Sequence, residues 1–246
     1  MAIDDQLIRQ PRQLQVSRWR GDVRAAVINP TPNHPIPSAA AVAREVERLA
    51  GTGVERILTG ALHHDELEPF ALNGFEVHDR LHLLRHDLVV LPEAPRRVSI
   101  RRASRRHLTE ILRIDRDAFD DFWTLDRDGI RDALRATPTS RFRISRDRRG
   151  AITGYSITGR AANRSYLQRL AVDPRNQGGG LGRALVVDAL AWARRRGAAE
   201  TVVNTQHGNE QAFALYRRCG FVAQPHGLTV LALDVARRRL DDPTAS

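Results

Sequence analysis

Apolar and polar residues recur along the chain with two periods, one typical of helices and one typical of strands. Helical spacing, with apolar residues at i, i+3, i+4 and i+7, begins at Ala39 and again at Val186. Alternation typical of half-buried strands marks three successive segments, at 141–147, 151–162 and 165–173. Together the two periods predict an α/β (α+β) protein with one mixed sheet flanked by helices.

The elements predicted after residue 97 follow the order β-α-α-β-β-β-α-β-α-β-β. Besides the three alternating segments, they are strands at 98–104 and 200–206, helices at 107–119, at 126–136 and from about Gly180, a short helix after 206, and a last pair of strands after a Gly-Phe pair. We therefore predict one complete α/β domain over 98–235, followed by a tail at 236–246.

Part of this pattern occurs earlier in the chain as well. Residues 54–75 align with residues 200–221 without a gap, at an offset of 146 residues. The aligned pairs include Thr59 with Thr205, Phe70 with Tyr216, Gly74 with Gly220, and Phe75 with Phe221, and just before the aligned segments Gly51 meets Gly197 at the same offset. This similarity predicts a tandem repeat, and the alternative is a chance likeness between two αβ units.

The earlier copy is incomplete, and it is separated from the later one by a proline-containing stretch. Residues 1–90 are predicted to hold a helix, a strand, a short helix and a last pair of strands, with no clear counterpart of the first three strands. Residues 91–97, LPEAPRR, are predicted to be a linker because two prolines interrupt the periodic pattern there.

The composition is typical of a soluble, cytoplasmic, globular protein. Hydrophobic residues make up 41% of the chain and charged residues 28%. No apolar run approaches the roughly 18 residues of a membrane span, and the start of the chain does not have the layout of a signal peptide. Cys219 is the single cysteine, so a disulfide within the chain is excluded.

The formal net charge of +10 would ordinarily indicate a nucleic-acid partner. All 39 basic residues are arginine, however, and they are scattered rather than gathered in a stripe with interleaved aromatics. Such usage is typical of a codon bias, and nucleic acid is therefore not the predicted partner. The positive field would still favour an anionic ligand.

The glycine run in RNQGGGLGRA, residues 175–184, lies between a predicted strand and a predicted helix. The first N–H groups of a helix lack internal partners and carry partial positive charge, so they bind anions. Glycines let a phosphate approach such a backbone closely. The chain has neither the lysine of a Walker loop nor a Rossmann G-x-G-x-x-G, so the pattern leaves two interpretations open, a phosphate site and a flexible turn.

Two motifs in this region resemble those of the GNAT superfamily of N-acyltransferases. The stretch LAVDPRNQGGGLGRAL is similar to the acyl-CoA loop Q/R-x-x-G-x-G/A, matched by Gln177, Gly180 and Gly182. Downstream, NEQAFALYRRCGF is similar to N-x-x-A-x-x-L-Y-x-x-x-G-F, from Asn209 to Phe221. The resemblance covers roughly 98–235 and is closest to members that acetylate protein N-termini. It implies a mostly antiparallel sheet, acetyl-CoA as co-substrate, no metal, and transfer of the acetyl group to an amine by direct attack in a ternary complex.

The resemblance also implies how the co-substrate would be held. Backbone N–H groups of the glycine loop would bind its pyrophosphate, and the edge of the preceding strand would pair with its pantetheine arm. The implied cofactor-binding residues are Leu170, Ala171, Val172, Gln177, Gly178, Gly179, Gly180, Leu181, Gly182, Arg183, Asn209 and Tyr216. From the residues alone, Asn209 is simply expected to cap the short helix that comes after it.

Two catalytic roles are implied by the same resemblance. The N–H of Val172 would stabilise the developing oxyanion, and Tyr216 would be the general acid that protonates the leaving thiolate. For Tyr216 the alternative is a core residue on a packed helix face. The strand glutamate that serves many relatives as general base is replaced by Gln168, which cannot accept a proton, so no base is assigned. Asn204, Glu210 and the carboxylates of 115–128 remain candidates for assisting through water.

The acceptor amine would meet the segment IDRDAFDDFWTLDRD, residues 114–128. Carboxylates and aromatic rings together suit a cationic amine, and the alternative is a solvated acidic helix face over aromatic core residues. The predicted acceptor-binding residues are Asp120, Asp121, Phe122, Trp123, Gln168 and Asn204. The pattern leaves open whether the acceptor is a protein N-terminus or a small cationic molecule, and whether the chain forms oligomers.

Compared position by position, the first copy lacks the residues that carry this chemistry. TPNHPI, residues 31–36, replaces the glycine loop, and its prolines remove N–H donors. Phe70 stands in place of Tyr216, and His63 in place of Asn209. The paired His63 and His64 have no partner ligands at metal-binding spacing and are expected at the surface. We therefore predict a catalytically silent first copy. Non-catalytic acyl-CoA binding and nucleic-acid binding are the alternative functions.

Overall fold

The computed structural model describes residues 13–32, 34–95 and 98–236. These residues form two compact units. The boundaries of the units differ from those of the two predicted domains. The first unit contains the chain up to Leu81 and again from Gly227, and the second contains His82–His226. The predicted linker residues 91–95 thus lie in the second unit, and the linker residues 96–97 and the tail residues 237–246 lie outside the described residues.

The secondary structure is numbered in chain order. The strands are β1 (Leu14–Trp19), β2 (Asp22–Pro30), β3 (Arg56–Thr59), β4 (Glu76–His86), β5 (Ser99–Arg102), β6 (Thr139–Arg146), β7 (Ile152–Ala161), β8 (Arg164–Val172), β9 (Glu200–Gln206), β10 (Val222–Ala223) and β11 (Leu228–Asp234). The helices are α1 (Ala39–Ala50), α2 (Glu68–Ala71), α3 (Leu108–Ala118), α4 (Arg127–Arg135), α5 (Leu181–Arg195) and α6 (Glu210–Arg218). Every helix among these described residues is too short or too polar to span a bilayer.

The first unit is built on a sheet in the order β1-β2-β3-β11-β4. Its helix α1 buries one apolar stripe, Val42, Val46 and Leu49, against the sheet core. Ser38 starts this helix by accepting the N–H of Ala41 at 3.2 Å. Strand β11, from the far end of the described chain, pairs with β3 and with the first half of β4.

Two features of the first unit differ from the prediction. The hairpin of β1 and β2 precedes α1, where no clear strand was expected; its loop residues Arg20 and Gly21 both have positive φ, as a two-residue hairpin turn requires. The pair of strands predicted after Phe75 is wrong, since this segment forms the single strand β4. β4 extends over 11 residues without a turn, and its pairing partners come from later in the chain.

The second unit has the sheet order β4-β9-β8-β7-β6-β5, with β10 also paired to β4. Neighbours from β5 to β8 run antiparallel, and β8 and β9 run parallel. The mixed, mostly antiparallel sheet flanked by helices is therefore confirmed. Each predicted strand and helix between 98 and 218 is present, with boundaries within a few residues of the prediction.

The end of β4 belongs to the core of this second unit. Arg85 and Leu84 pair with β10, and the Gln224 N–H donates to the Leu83 carbonyl at 2.8 Å. Leu84 is fully buried, in an apolar cluster that also contains residues of α5 and α6. A second cluster, formed around Ile111, Ile144 and Tyr155, joins α3 and α4 to β6 and β7. These two clusters fix the helices around the strands that carry the candidate site.

Candidate active site

The parallel strands β8 and β9 separate before either of them ends. Their paired residues are Arg164, Ser165 and Tyr166 of β8 with Glu200, Thr201 and Val202 of β9. β8 nevertheless continues to Val172 and β9 to Gln206. The last six residues of β8 therefore have a paired edge on β7 and an open edge on the side of β9.

Backbone groups of Leu170 and Val172 face this opening. The Asp173 N–H donates to the Thr153 carbonyl of the β7 side at 2.9 Å. Successive residues of an antiparallel strand alternate between bonded and non-bonded positions, so Ala171 also bonds toward β7, and Leu170 and Val172 turn their N–H and C=O groups the other way. An unpaired edge of this kind is a template for an added strand-like ligand.

A β-bulge at Gln168 lies where the two strands separate. Ile157 pairs with Arg169 and Thr158 with Leu167, so Gln168 is the extra residue on β8. A bulge bends its strand and increases the local twist, which gives a physical reason for the divergence from β9. The Gln168 Oε1 is buried and accepts no hydrogen bond from the described residues. An unpaired buried acceptor at this point is unusual and marks a place where a donor would be stabilised.

The glycine loop leads from the end of β8 into α5. Gly178 and Gly180 have φ of +80° and +78°, a conformation that costs other residues about 1–2 kcal/mol. Gly180 is the N-cap of α5 and has no side chain to occupy the free N–H groups of the first turn. A Cβ added to Gly178 would meet no atom within 4 Å, so the loop is open on the outside. The geometry is that of an anion site at the start of a 15-residue helix.

Gln177 links the loop to the strand edge and to α6. Its Nε2 donates to the carbonyl of Val172 at 3.3 Å, and its Oε1 accepts from Gln211 Nε2 at 3.2 Å. At Gly182, in the first turn of α5, an added Cβ would lie 3.0 Å from Leu215 Cδ2 and 3.9 Å from Val172 Cγ2. The structure thus brings α6, which carries Gln211 34 residues after Gln177, together with the β8 edge and the glycine loop.

Helix α6 carries the two residues singled out by the second motif. Asn209 is its N-cap and accepts the Ala212 N–H at 3.0 Å, as expected from the sequence. Tyr216 is 5% exposed and belongs to the same apolar cluster as Leu84, with Leu170 and Leu215 packed against it. Burial raises the pKa of the Tyr216 phenol well above its usual range, so the proton stays on the oxygen at neutral pH.

The acidic residues of the segment 114–128 divide into those engaged within or at the start of a helix and those that lie between the two helices. Asp117 pairs with Arg113 and Asp128 with Arg131, each within its own helix, and Asp126 caps α4. Asp120 is exposed; its carboxylate accepts the Trp123 N–H at 3.0 Å and lies 3.2 Å from Gln206 Nε2 of β9. Asp121 is also exposed.

The aromatic pair of this segment and Asn204 complete the predicted acceptor side. The rings of Phe122 and Trp123 are half-buried and meet edge to face at 5.1 Å between centroids. Asn204 is exposed on β9, one residue after Val203, which packs in the α5–α6 cluster. Because side chains alternate along a strand, Asn204 and Gln206 share the opposite face. Asn204, Gln206 and Asp120 are thereby brought to one face of β9.

Asp115 is the residue of this segment whose role the sequence did not reveal. It is completely buried and forms a bidentate ion pair with Arg169 of β8, at 2.7 and 2.8 Å. Its position as one of six aspartates in a row of 14 residues gave no signal of this pairing, since the partner lies 54 residues away. It is thus part of the framework of the site and is not an acid on the surface.

A parallel strand pair of the first unit, β2 and β3, is closed. β2 and β3 pair from Ala25 with Arg56 to Ile28 with Thr59, which is the last residue of β3. Beyond it, Asn29 Oδ1 accepts the N–H of Gly60 at 2.6 Å. Phe70 is fully buried against Phe75, as Tyr216 is against Phe221. A strand edge for an added ligand is therefore present at β8 and lacking at the described part of β2.

No three His, Cys, Asp or Glu side chains gather into a possible metal site within 13–32, 34–95 and 98–236. The candidate site consists of a strand edge, a glycine-rich helix start and a buried phenol.

Sequence comparison relates the segment that contains this site to a known family. The model of the acetyltransferase (GNAT) family matches residues 108–221. Mycothiol acetyltransferase of Saccharomonospora viridis is 40% identical over 63 residues, which are 26% of this chain and 20% of that protein. Ribosomal protein bS18-alanine N-acetyltransferase of Escherichia coli is 35% identical over 72 residues, which are 29% of this chain and 49% of that protein. The matched part thus spans a fifth to a half of these relatives.

The structure is also similar to solved proteins of the same class. A tandem GNAT protein from the clavulanic acid biosynthesis pathway superimposes with a TM-score of 0.65 at 13% identity, covering 86% of this chain and 75% of that one. At this identity the likeness shows the fold alone. The segment that contains β8, the glycine loop and α6 is thus the part of the chain that matches the acetyltransferase (GNAT) family.

Proposed function

We propose that the second unit transfers the acetyl group of acetyl-CoA to a primary amine, by direct attack of the amine in a ternary complex. The observation that carries this proposal is the open edge of β8 beside β9, directly followed by the glycine loop and α5. The family match and the named activities of the two relatives support it.

The residues present fit the co-substrate in two ways. A pyrophosphate would be held by N–H groups of residues 178–183. There the glycines have positive φ, and the start of α5 has no side-chain cap, so the N–H groups of its first turn are left as donors. The pantetheine arm carries amide groups, and these would pair with the outward N–H and C=O groups of Leu170 and Val172. When bound, the thioester supplies an activated acyl carbon and a thiolate leaving group.

Two groups of the protein would act on the reacting atoms. The Val172 N–H faces the opening and would donate to the carbonyl oxygen as negative charge develops on it. Tyr216, which is protonated at neutral pH, would protonate or hydrogen-bond the thiolate as it leaves. The amine loses a proton in the same reaction; Gln168, at the bulge, cannot accept it, so the proton would pass to solvent water.

The acceptor side favours a cationic amine. Asp120 and Asp121 are exposed next to the rings of Phe122 and Trp123, and carboxylates with aromatic faces attract cations. The two relatives suggest two kinds of acceptor, a small molecule and the N-terminus of a protein. A panel of amines of both kinds, assayed for release of free CoA, would identify the acceptor.

A conservative substitution tests the catalytic proposal. Tyr216→Phe should lower kcat by at least about 100-fold and leave the Kd for acetyl-CoA within about twofold, because the ring still packs in the same cluster. Phe213→Leu, on the same helix, serves as a control for repacking. Turnover by Tyr216→Phe equal to that of the unmodified protein would remove the general-acid role.

The unpaired Gln168 in place of a carboxylate favours one alternative, a protein that binds acyl-CoA without turning it over. Acetyl-CoA at about 100 times its Kd should stabilise the fold by roughly 2.7 kcal/mol in either case. Stabilisation without CoA release from any amine would favour the binding protein, and no stabilisation would exclude both. For nucleic acid, binding should weaken steeply with salt.

A further inference from the structure

A buried charge cluster connects β8 to the acceptor segment. Arg169 donates from Nε and Nη2 to the two carboxylate oxygens of Asp115, at 2.8 and 2.7 Å. The Arg169 side chain is 10% exposed and that of Asp115 is 0% exposed. Bidentate pairs of this kind fix the relative orientation of both partners, and removing one of them leaves the other charge buried without compensation.

Two further hydrogen bonds and one cation–π contact of this pair lead to the segment 119–125. Arg169 Nη2 also donates to the carbonyl of Trp123 at 2.7 Å, and its guanidinium lies over the ring of Phe119 at 3.5 Å from the centroid. The Asp115 Oδ1 accepts the Leu125 N–H at 2.6 Å. The segment 119–125 is therefore tied at its start, its middle and its end to a single pair of side chains.

A third element fixes the carboxylate itself. The hydroxyl of Tyr155, fully buried in β7, donates to Asp115 Oδ2. The cluster thus joins α3, β7, β8 and the segment 119–125. A core held by apolar side chains alone would not need this directional arrangement, since a well-packed hydrophobic substitute is often as stable as a buried ion pair.

The position of Arg169 on β8 gives the cluster its functional meaning. Arg169 lies between Gln168, the bulge residue, and Leu170, whose backbone groups face the opening toward β9. The segment it holds contains Asp120 and Asp121 and the Phe122–Trp123 ring pair. The segment 119–125, which would line the acceptor side, is therefore attached to residues 168–170, which border the open edge of β8.

We propose that Arg169 is a positioning residue for the acceptor amine, which sets the distance between the 119–125 segment and the open edge of β8 through Asp115 and the Trp123 carbonyl. Arg169 itself touches neither substrate. This inference rests on the proposed acetyl transfer, because it assigns that reaction its acceptor geometry.

The test separates recognition of the amine from binding of acetyl-CoA. Arg169→Lys keeps a positive charge but cannot bond both carboxylate oxygens and the Trp123 carbonyl at once. We expect it to raise the KM of the amine at least tenfold and to lower kcat, and to leave the Kd of acetyl-CoA within twofold. Asp188→Asn is the matched control: Asp188 also holds two arginines, Arg141 and Arg143, but between α5 and β6. It should lower the melting temperature without raising the KM of the amine.

Two milder variants cover the possibility that Arg169→Lys does not fold. Tyr155→Phe removes one hydrogen bond to Asp115, and Asp115→Asn keeps the shape of that side chain; both should raise the KM of the amine more than the Kd of acetyl-CoA. The inference is overturned if folded variants keep the amine KM within twofold, or if both constants change equally. Wild-type protein without activity toward any amine would instead overturn the proposed function.

Discussion

Leu84→Ala tests whether the end of β4 is part of the unit that carries the site. The Leu84 side chain is 0% exposed and lies in the cluster that contains Tyr216 and Phe221. Truncating a fully buried leucine costs 2–5 kcal/mol, and we take about 3 kcal/mol for this site. The structure therefore predicts that this substitution destabilises the second unit. The sequence pattern assigns Leu84 to the first copy and predicts that it destabilises the first unit.

Hydrogen exchange of the full chain, followed by mass spectrometry, locates the effect. Amides that exchange through opening of the second unit should exchange about 100-fold faster in Leu84→Ala, because about 1.4 kcal/mol corresponds to a factor of ten. The peptides to follow are those of α5 and α6. Amides of α1, in the first unit, should change far less.

The control is Val90→Ala, six residues further on, where the side chain is 78% exposed. It should change stability by no more than about 0.5 kcal/mol. Faster exchange confined to α1 and β3, with α5 and α6 protected as before, would refute the assignment of the end of β4 to the second unit.

Two further predictions concern pH and the glycine loop. His86 is 2% exposed, and burial lowers its pKa. Because the fold keeps this histidine neutral, its contribution to the free energy of unfolding is fully present above its unfolded pKa of about 6.5. That contribution is lost as the pH falls from there through the lower folded pKa. Urea midpoints between pH 8 and 5 should therefore decline less in His86→Gln, and equal declines would contradict this. Gly180→Ala should lose about 1–2 kcal/mol, since its φ is +78°, and should bind acetyl-CoA more weakly. Gly208 has an ordinary φ and open space around it. Gly208→Ala should therefore lose neither stability in urea unfolding nor affinity for acetyl-CoA in calorimetric titration.

The elements of the second unit could be predicted because their signals are local. Alternation gives β6, β7 and β8, and helical spacing gives α5, whose buried residues include Val186 and Leu190. The glycine loop could be placed at a helix start for the same reason. Features that depend only on near neighbours in the chain could thus be predicted from the pattern.

The pairing of strands could not be predicted in the same way. The residues of β4 do not indicate that its first half pairs with β11 and its end with β10. The two partners lie about 140–150 residues later in the chain, and non-local pairings of this kind are specified by the packed core. The hairpin of β1 and β2 could not be predicted, because Arg20-Gly21 is a weaker turn signal than Asn-Gly.

The candidate site shows the same limit. Tyr216, the strand edge and the loop came from motifs with fixed spacing, and their roles stay predictions. The pairing of Asp115 with Arg169 depends on α3 crossing β8, and one aspartate among several cannot be told apart by spacing alone. The bulge at Gln168 is equally invisible in the sequence, since it is a property of two strands in register.

The division of the chain has a consequence for the order in which the protein can be completed during synthesis. The second unit is a continuous segment, His82–His226, whereas the first unit needs β11, which the ribosome adds after that segment. Until then, β3 and the first half of β4 lack the strand that lies between them. The segment that carries the candidate site can therefore reach its fold first, and the first unit is completed after it, although most of the first unit precedes that segment.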